Sequence, residues 1–299
     1  MLDTKLDTIL AVNETGNFTR AAKRLSLTQP AVSQHINQLE RELNIKIFNR
    51  SKGELKLTNQ GEIVIMYAKR IKALYNKMQQ KILDEARRIT KLEVGITHTS
   101  ESNFVAEVLA RYCNTNKGMS IKILTDSIRN LYDKLMNYEL DLAIVEGNIN
   151  DNSINSLLLG TDYLVLVTSN DNPISKRSMV TINDLKKERM ILRLPGSGTR
   201  NLFISHLESI NMSIDEFNII LEVDNIATIK DLVRRNFGVS ILARSACLDE
   251  LNKGKITVLP IENLSMVRET SILYHKDFNH TDILHDITKI YNETAKLYS

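Results

Sequence analysis

Residues 18–41 read FTRAAKRLSLTQPAVSQHINQLER and contain two short helical patterns with a few residues between them. The apolar stripe of the first pattern consists of Ala21, Ala22 and Leu25. Thr19 precedes this stripe and is a candidate helix cap, and Thr28 can cap the second helix by accepting backbone N–H bonds. Pro30 falls in the first turn of the second helix, where a missing N–H costs nothing. The stretch therefore predicts two helices joined by a tight turn.

The second of these helices has an apolar face and a polar face. Its apolar face carries Val32, Ile36 and Leu39 at helical spacing. The outward positions carry short, uncharged side chains, which suit contacts to base edges in the major groove of DNA. We predict that these DNA-binding residues are Gln29, Pro30, Ala31, Ser33, Gln34 and Asn37. An ordinary helix pair with a polar outer face would show the same pattern, so this helix alone leaves both interpretations open.

The next residues favour the DNA-binding interpretation. Asn44 is a suitable left-handed stop for the second helix, and Leu55 and Leu57 alternate after a turn at 52–53, which predicts a small hairpin, or wing. Residues 1–90 contain 16 Lys and Arg and 9 Asp and Glu, a net charge of +7, and the remainder of the chain carries −4. A basic N-terminal part fits contact with a phosphate backbone. The candidate phosphate contacts are Lys23, Arg24, Arg50, Lys52 and Lys56.

This part of the chain closely resembles the LysR-type transcriptional regulators. It departs from the family at Gln34, where arginine is frequent, and at Asn44, where glycine is frequent, so no particular operator sequence is transferred. The matching residues are Phe18, Thr19, Arg20, Ala21, Ala22, Leu25, Gln29, Pro30, Ala31, Val32, Ser33, Ile36, Leu39, Glu40, Leu43, Phe48, Arg50, Leu57, Thr58 and Gly61.

Residues 58–88 contain no proline, and Gly61 near the start is their one glycine. Apolar residues recur at steps of three and four, the spacing of a helix that pairs lengthwise with another. These residues are Val64, Tyr67, Ile71, Leu74, Met78 and Ile82. A helix packed on its own domain is the alternative. The resemblance favours a dimerising linker helix and implies a homodimer, most often assembled into a homotetramer, that binds double-stranded operator DNA and has RNA polymerase as a possible partner.

From Leu92 onward, short apolar runs alternate with helical patterns, which is typical of an α/β fold. The predicted fold class is therefore an N-terminal all-α winged helix-turn-helix with a long linker helix, followed by a C-terminal α/β domain. The resemblance implies that this second domain is two-lobed, like a periplasmic binding protein, and binds an effector between its lobes. The predicted boundaries are 1–58 for the DNA-binding domain, 59–89 for the linker helix, 90–299 for the effector domain, 90–162 with 266–299 for lobe I, and 163–265 for lobe II.

The loop at residues 193–200 reads RLPGSGTR and follows an apolar strand. Its two glycines allow backbone N–H groups to converge, and the helix start adds a positive dipole end, so an anion would bind there. A structural glycine turn with a helix cap is the alternative. Hydroxyl-bearing residues after strands of the opposing lobe favour the binding interpretation. The predicted effector-binding residues are Thr97, Thr99, Ser100, Ser127, Gly196, Ser197, Gly198 and Thr199.

The Gly-Ser-Gly-Thr-Arg run also resembles one LysR-type subgroup, whose members regulate sulfur assimilation, sulfite response and carbon fixation. Asp141, residues 145–147 and residues 237–240 match it too, whereas Leu194 and Ala227 stand where glutamate is frequent. The candidate effectors are sulfate, sulfite, phosphate and small carboxylates. The subgroup resemblance slightly favours the sulfur oxyanions.

An enzyme is the alternative function, since an α/β protein with a glycine-rich anion loop could be a transferase. The loop lacks the spacing and the terminal Lys-Ser/Thr of a P-loop. His275, His280 and His285 are five residues apart and do not have the spacing of ligands on one helix face. No catalytic triad or exposed carboxylate pair stands out. We therefore expect a regulator with no enzymatic activity, no cofactor and no metal.

Composition places the chain among ordinary globular proteins, with 42% hydrophobic and 25% charged residues. No apolar run approaches membrane-spanning length, and the first residues do not resemble a signal peptide, so we expect a cytoplasmic protein and no membrane partner. Cys113 and Cys247 are far apart and lack CxxC spacing, which favours buried thiols over a redox pair or a zinc site.

Overall fold

A computed structural model describes residues 4–51, 54–87, 90–147, 149, 151–262 and 266–298. The chain divides into two compact units. Unit 1 comprises Met1–Thr90 with Met136–Glu139, and unit 2 comprises Lys91–Leu135 with Leu140–Ser299. The domain boundaries expected above remain predictions.

Unit 1 contains a helical core, a two-stranded wing and one long helix. Its elements are α1 (Thr4–Thr15), α2 (Phe18–Leu25), α3 (Gln29–Leu43), β1 (Phe48–Ser51), β2 (Glu54–Leu57) and α4 (Asn59–Arg87). β1 and β2 pair antiparallel, with Phe48 opposite Leu57, as the alternating leucines predict. The turn expected at 52–53 lies outside the described residues.

Capping groups fix the ends of α2 and α3. The cap of α2 is Asn17, whose side-chain oxygen accepts from Thr19 N at 2.8 Å, so the expected cap at Thr19 is wrong. An amide at Asn17 reaches these N–H groups from outside the helix, whereas Thr19 already belongs to its first turn. Thr28 caps α3, and Asn44 ends it with a left-handed φ of 52°, both as predicted.

The wing is joined to α3 and to the start of α4 by buried polar contacts. Glu40 is 6% exposed, and its carboxylate accepts from Ile47 N at 2.8 Å. The Thr58 hydroxyl accepts from Gly61 N at 2.8 Å and so caps α4. A side chain at Gly61 would place its Cβ 2.1 Å from the Ile47 carbonyl oxygen. These contacts explain why a carboxylate, a hydroxyl and a glycine occur at 40, 58 and 61.

The long helix α4 has 29 residues, which corresponds to about 43 Å of helix. Its first turns pack on the core of unit 1 through Ile65 and Ala68, and Val64 is partly buried against the same core. Beyond them the apolar stripe is exposed within the chain. Its exposed members include Tyr67, Ile71, Leu74, Met78 and Ile82. Part of the predicted stripe therefore belongs to the core of its own unit, and the rest has no covering element among the described residues.

Unit 2 is an α/β structure. Its strands are β3 (Thr90–Ile96), β4 (Met119–Thr125), β5 (Leu142–Glu146), β6 (Ile154–Thr168), β7 (Arg189–Arg193), β8 (Asn218–Val223), β9 (Ser240–Ala243), β10 (Thr257–Leu259) and β11 (Val267–His275). Its helices are α5 (His98–Glu101), α6 (Val105–Thr115), α7 (Ile128–Met136), α8 (Ile182–Leu185), α9 (Gly198–Ser209), α10 (Ile226–Arg234), α11 (Leu248–Asn252) and α12 (Thr281–Ala295).

The strands of unit 2 form a seven-stranded sheet and a separate parallel pair, β7 with β8. The order of the large sheet is β10-β6-β11-β5-β3-β4, and β9 also pairs with β6. β3 and β5 are parallel, whereas β11 runs antiparallel to both β5 and β6.

Two hydrophobic cores lie along the large sheet, and they define the two lobes. We call lobe I the part around Val94, Ile144 and Ile287, and lobe II the part around Leu166, Ile191 and Phe203. The long strand β6 contributes Leu159 to the first core and Leu164 to the second. The sheet therefore passes through both lobes, and the α/β, two-lobed fold class is confirmed.

No helix in the described part of the chain is both long and apolar enough to cross a membrane.

Candidate functional site

The recognition helix α3 presents the predicted DNA-binding side chains on its outer face. Gln29, Pro30, Gln34 and Asn37 are exposed, and Ala31 and Ser33 are partly exposed. Gln29 Nε2 donates to Ser33 Oγ at 2.8 Å, so these two groups would have to separate, or act together, to reach a base edge. Val32, Ile36 and Leu39 anchor the opposite face in the core, as predicted.

The basic residues around α3 are placed unevenly by the structure. Lys23, Arg24 and Lys56 are exposed, and Arg24 forms an ion pair with Glu14. Arg50 lies in β1, but its side chain, like all of Lys52, lies outside the described residues.

Unit 2 contains a cavity of about 310 Å³ between lobe I and lobe II. Predicted effector-binding residues that line it are Thr97, Thr99, Ser127, Gly196, Ser197, Gly198 and Thr199. Ser100 is fully buried beside the cavity but is not part of its lining. Lining residues that were not predicted to bind the effector are His98, Asp126, Ile128, Glu146, Arg193, Leu194, Pro195, Asp224 and Arg268.

Three helix starts meet at this cavity. Thr97 caps α5, because its hydroxyl accepts from Ser100 N at 3.3 Å; the expected single helix starting at Thr99 or Ser100 and running to Leu109 is therefore wrong. Ser127 and Ser197 accept from backbone N–H groups three residues ahead, each at 3.3 Å. Since a hydroxyl that accepts as a cap keeps its own O–H donor, Ser127 and Ser197 can still donate to a ligand.

Glu146 is a buried carboxylate in the cavity wall, 9% exposed at the end of β5. Both of its oxygens accept short hydrogen bonds, one from the Thr97 hydroxyl and one from the Ser100 hydroxyl. A hydroxyl has one O–H proton to donate. Thr97 and Ser100 therefore hold Glu146 in place and have no further proton to offer an effector.

Arg268 is a buried cation in the same wall, 9% exposed on β11. Its Nη1 lies 3.5 Å from Thr199 Oγ1, and its Nη2 lies 3.9 Å from Asp162 Oδ2. In the described part of the molecule, neither Nε nor Nη2 has a hydrogen-bond partner. A buried guanidinium with unused donors is costly unless something accepts from it. The cavity therefore contains a positive group with free hydrogen-bonding capacity.

Two further arginines hold the glycine loop. Arg193 is 4% exposed and pairs with Asp224 at 3.0 Å, and its Nε has no partner among the described residues. Arg200 donates to the Arg193 carbonyl oxygen at 3.1 Å and pairs with Glu222. Arg200 thus braces the loop from outside the cavity, which decides between the two roles that its sequence position allows.

The sequence does carry a signal for the residues that were missed. Arg268 follows Val267 in a strand whose later residues, Ser271 to Tyr274, are mainly buried, and Glu146 ends the fully buried strand β5. Charged residues are almost never fully buried unless they are paired. A charge inside an apolar strand pattern therefore distinguishes both positions from ordinary core residues.

Metal and redox sites are not apparent in unit 2. Within the described ranges, no group of three His, Cys, Asp or Glu residues is arranged to hold a metal ion. Cys113 and Cys247 are both free thiols, and burial raises the pKa of Cys247 to about 12. Such a thiol stays protonated and unreactive near neutral pH.

The chain is similar to regulators along most of its length. It is 27% identical over 270 residues to the HTH-type transcriptional regulator CysL of Bacillus subtilis (strain 168), covering 90% of this chain and 89% of that protein. It is 29% identical over 274 residues to a probable RuBisCO transcriptional regulator of Emiliania huxleyi, covering 90% and 87%. Both relatives are consistent with the subgroup resemblance.

The fold has a counterpart among solved structures, and two family models match the sequence. Full-length CbnR in complex with its target DNA superposes with a TM-score of 0.69 at 18% identity, covering 98% of this chain and 100% of that one. Residues 4–62 match the bacterial regulatory helix-turn-helix protein model of the lysR family, and residues 86–290 match the LysR substrate binding domain. The protein is therefore a member of the LysR family, a DNA-binding transcriptional regulator with an effector-binding domain.

Proposed function

We propose that this regulator reads its operator through the outer face of α3 and responds to a small anion bound in the cavity of unit 2. Gln29, Ser33, Gln34 and Asn37 would contact base edges, while Pro30 and Ala31 allow close approach to the groove. Lys23, Arg24, Arg50, Lys52 and Lys56 would contact phosphates and set position. The acidic remainder of the chain would make no phosphate contact.

Dimerisation through α4 would complete the DNA-binding unit. The exposed stripe from Tyr67 to Ile82 is the apolar surface that such a pairing would bury. A homodimer would present two recognition helices to half-sites about one turn of DNA apart. Two dimers would form the homotetramer, which would act in the cytoplasm on transcription by RNA polymerase.

The observation that supports an anionic effector is Arg268. Its unpartnered Nε and Nη2 are buried in the wall of a cavity that also receives the Ser127 and Ser197 hydroxyls. An anion would accept from these donors and from backbone N–H groups of the glycine loop, at the start of α9. The cavity volume of about 310 Å³ suits a small molecule.

The anion would act by stabilising one arrangement of the two lobes. It changes the protein only by the difference in its affinity for the two arrangements. Because the cavity walls come from both lobes, a ligand that bridges Arg268 and Ser127 favours the more closed one. In an assembled tetramer, that change would alter the angle between dimers and the bend of the bound DNA.

The test is calorimetric titration of the full-length protein with sulfate, sulfite, phosphate and small carboxylates. Arg268→Gln should weaken binding of whichever anion binds the wild type by at least about tenfold, because a charge-assisted hydrogen bond is lost. Thr199→Ala should weaken it less. Arg129→Gln removes the same charge from an exposed position outside the cavity lining and should leave affinity unchanged. Equal binding by wild type and Arg268→Gln would refute the anion site, as would a preference for uncharged ligands alone.

A further inference from the structure

Glu146 and Arg268 form an opposed pair of charges in the cavity wall. Glu146 lies opposite Thr270 in the antiparallel pairing of β5 with β11, and Arg268 is two residues before Thr270 on the same face. Diagonal neighbours of this kind are about 7–8 Å apart. Among the described residues, the two side chains share no ion pair or hydrogen bond with each other. A small molecule in the cavity can therefore touch both.

The hydrogen bonds of Glu146 decide which atoms it can accept near it. Each of its oxygens already accepts from one hydroxyl, from Thr97 and from Ser100 respectively. An ionised carboxylate has about four acceptor sites, so it can accept further bonds but has no proton to donate. The hydroxyls cannot turn to an effector without leaving a buried carboxylate unsatisfied, which is costly.

The other acidic residues of the cavity are differently engaged. Asp224 pairs with Arg193, and Asp126 accepts from Ser127 N at 2.8 Å and from Asn130 Nδ2 at 2.7 Å. Glu146 has hydroxyl partners and, within the described ranges, no cation in an ion pair with it. An anion bound at Arg268 thus has an uncompensated negative charge beside it. A ligand whose near atoms are all acceptors is repelled there, whereas one that carries a donor gains a charge-assisted bond.

We propose that the effector is an anion with a hydrogen-bond donor of its own, its anionic group at Arg268 and Thr199 and its donor at Glu146. This inference rests on the proposed anion site and narrows the class of ligand. Hydrogen phosphate, hydroxy acids and amino acids or their sulfonate counterparts meet the requirement. Sulfate, which has no proton near neutral pH, does not. Glu146 is then the specificity-determining residue of the cavity.

The test uses two matched comparisons, made by calorimetry on the full-length protein. The first compares 1-propanesulfonate, 2-hydroxyethanesulfonate and 2-aminoethanesulfonate, which differ at one end as CH₃, OH and NH₃⁺. The second compares sulfate with phosphate. The donor-bearing member of each set should bind at least about tenfold more tightly, since a hydrogen bond to a charged group is gained.

Glu146→Gln should remove this preference. Its neutral amide no longer repels acceptor-only anions, so their affinity rises and the tenfold discrimination falls to near one. Arg268→Gln should weaken all anions while leaving the discrimination in place. Because the ligand comparisons are made first on wild-type protein, they decide the matter even if Glu146→Gln does not fold.

The outcomes separate this inference from the proposed function. If sulfate and propanesulfonate bind wild type as tightly as their donor-bearing counterparts, and Arg268→Gln weakens both, the anion site stands and the role of Glu146 is wrong. If none of the five ligands binds at millimolar concentration, the anion site is wrong, and this inference with it.

Discussion

The recognition helix and the cavity carry their polar groups in different ways. On α3, six candidate residues lie within residues 29–37, and four of them are exposed. Around the cavity, the polar side chains come from separate segments of both lobes, and most are buried and bonded to one another. Polar groups on α3 wait for a partner outside the chain, whereas those of the cavity mainly position each other. Substitutions should therefore act singly on α3 and jointly in the cavity.

The largest effect should come from α4, on which the DNA-binding side of this comparison depends. Replacing Ile71 and Leu74 with aspartate puts charges into the exposed stripe and should break the dimer. Losing the second half-site costs operator affinity by about 100-fold or more, as for other bivalent contacts. Anion binding in unit 2 should not change.

Sedimentation and operator titration measure this effect, with Asn76→Asp as an exposed control on the same helix. A double variant that remains dimeric at low concentration would place the main interface elsewhere.

A smaller effect is expected on α3 itself. Ser33→Ala with Gln34→Ala should weaken operator binding by about 1–3 kcal/mol per lost base contact and relax sequence preference at those positions. Gel-shift titration against the operator and a scrambled duplex measures both quantities. Gln38→Ala, exposed on the same helix, serves as the control. Unchanged affinity and preference in the double variant would mean that another element reads the bases.

The smallest effect tests the comparison directly, by double-mutant cycles. Ser100→Ala and Glu146→Gln should couple by about 1 kcal/mol in the free energy of unfolding, because the two side chains share a buried hydrogen bond. Gln29→Ala and Asn37→Ala are eight residues apart on α3, and their effects on operator affinity should add within about 0.5 kcal/mol. Additive cavity variants, or coupled helix variants, would overturn the distinction.

The two regions also differ in what the sequence could predict. The faces of α3 follow from helical spacing, and Thr28, Pro30 and Asn44 mark its ends, so its core and outer residues are readable from one continuous stretch. The cap at Asn17 was missed because Thr19 is also a good capping residue. A cap is decided by which residue lies just outside the helix, and spacing alone left that open by two positions.

The cavity was predictable where its residues follow a local rule and not where they depend on pairing between distant strands. The glycine loop and the serines at 127 and 197 announce helix starts, and all of them line the cavity. Glu146 and Arg268 are brought together by the register of β5 with β11, which sequence spacing does not give. For the same reason, Thr97 and Ser100 were predicted as donors to an effector, although their protons are already given to Glu146.

The strands β6 and β11 have a mechanical consequence. They stay hydrogen-bonded to each other from Ile154 to Tyr163, with Arg268 directly opposite Asp162 where the chain passes from one core to the other. Lobes joined by a paired ribbon cannot swing as freely as lobes joined by loops, so relative motion must be absorbed as a change in the twist of that ribbon. Arg268 lies on the axis of this twist. A ligand held there applies its force at the pivot, and a small local torsion becomes a larger displacement at the outer ends of the lobes.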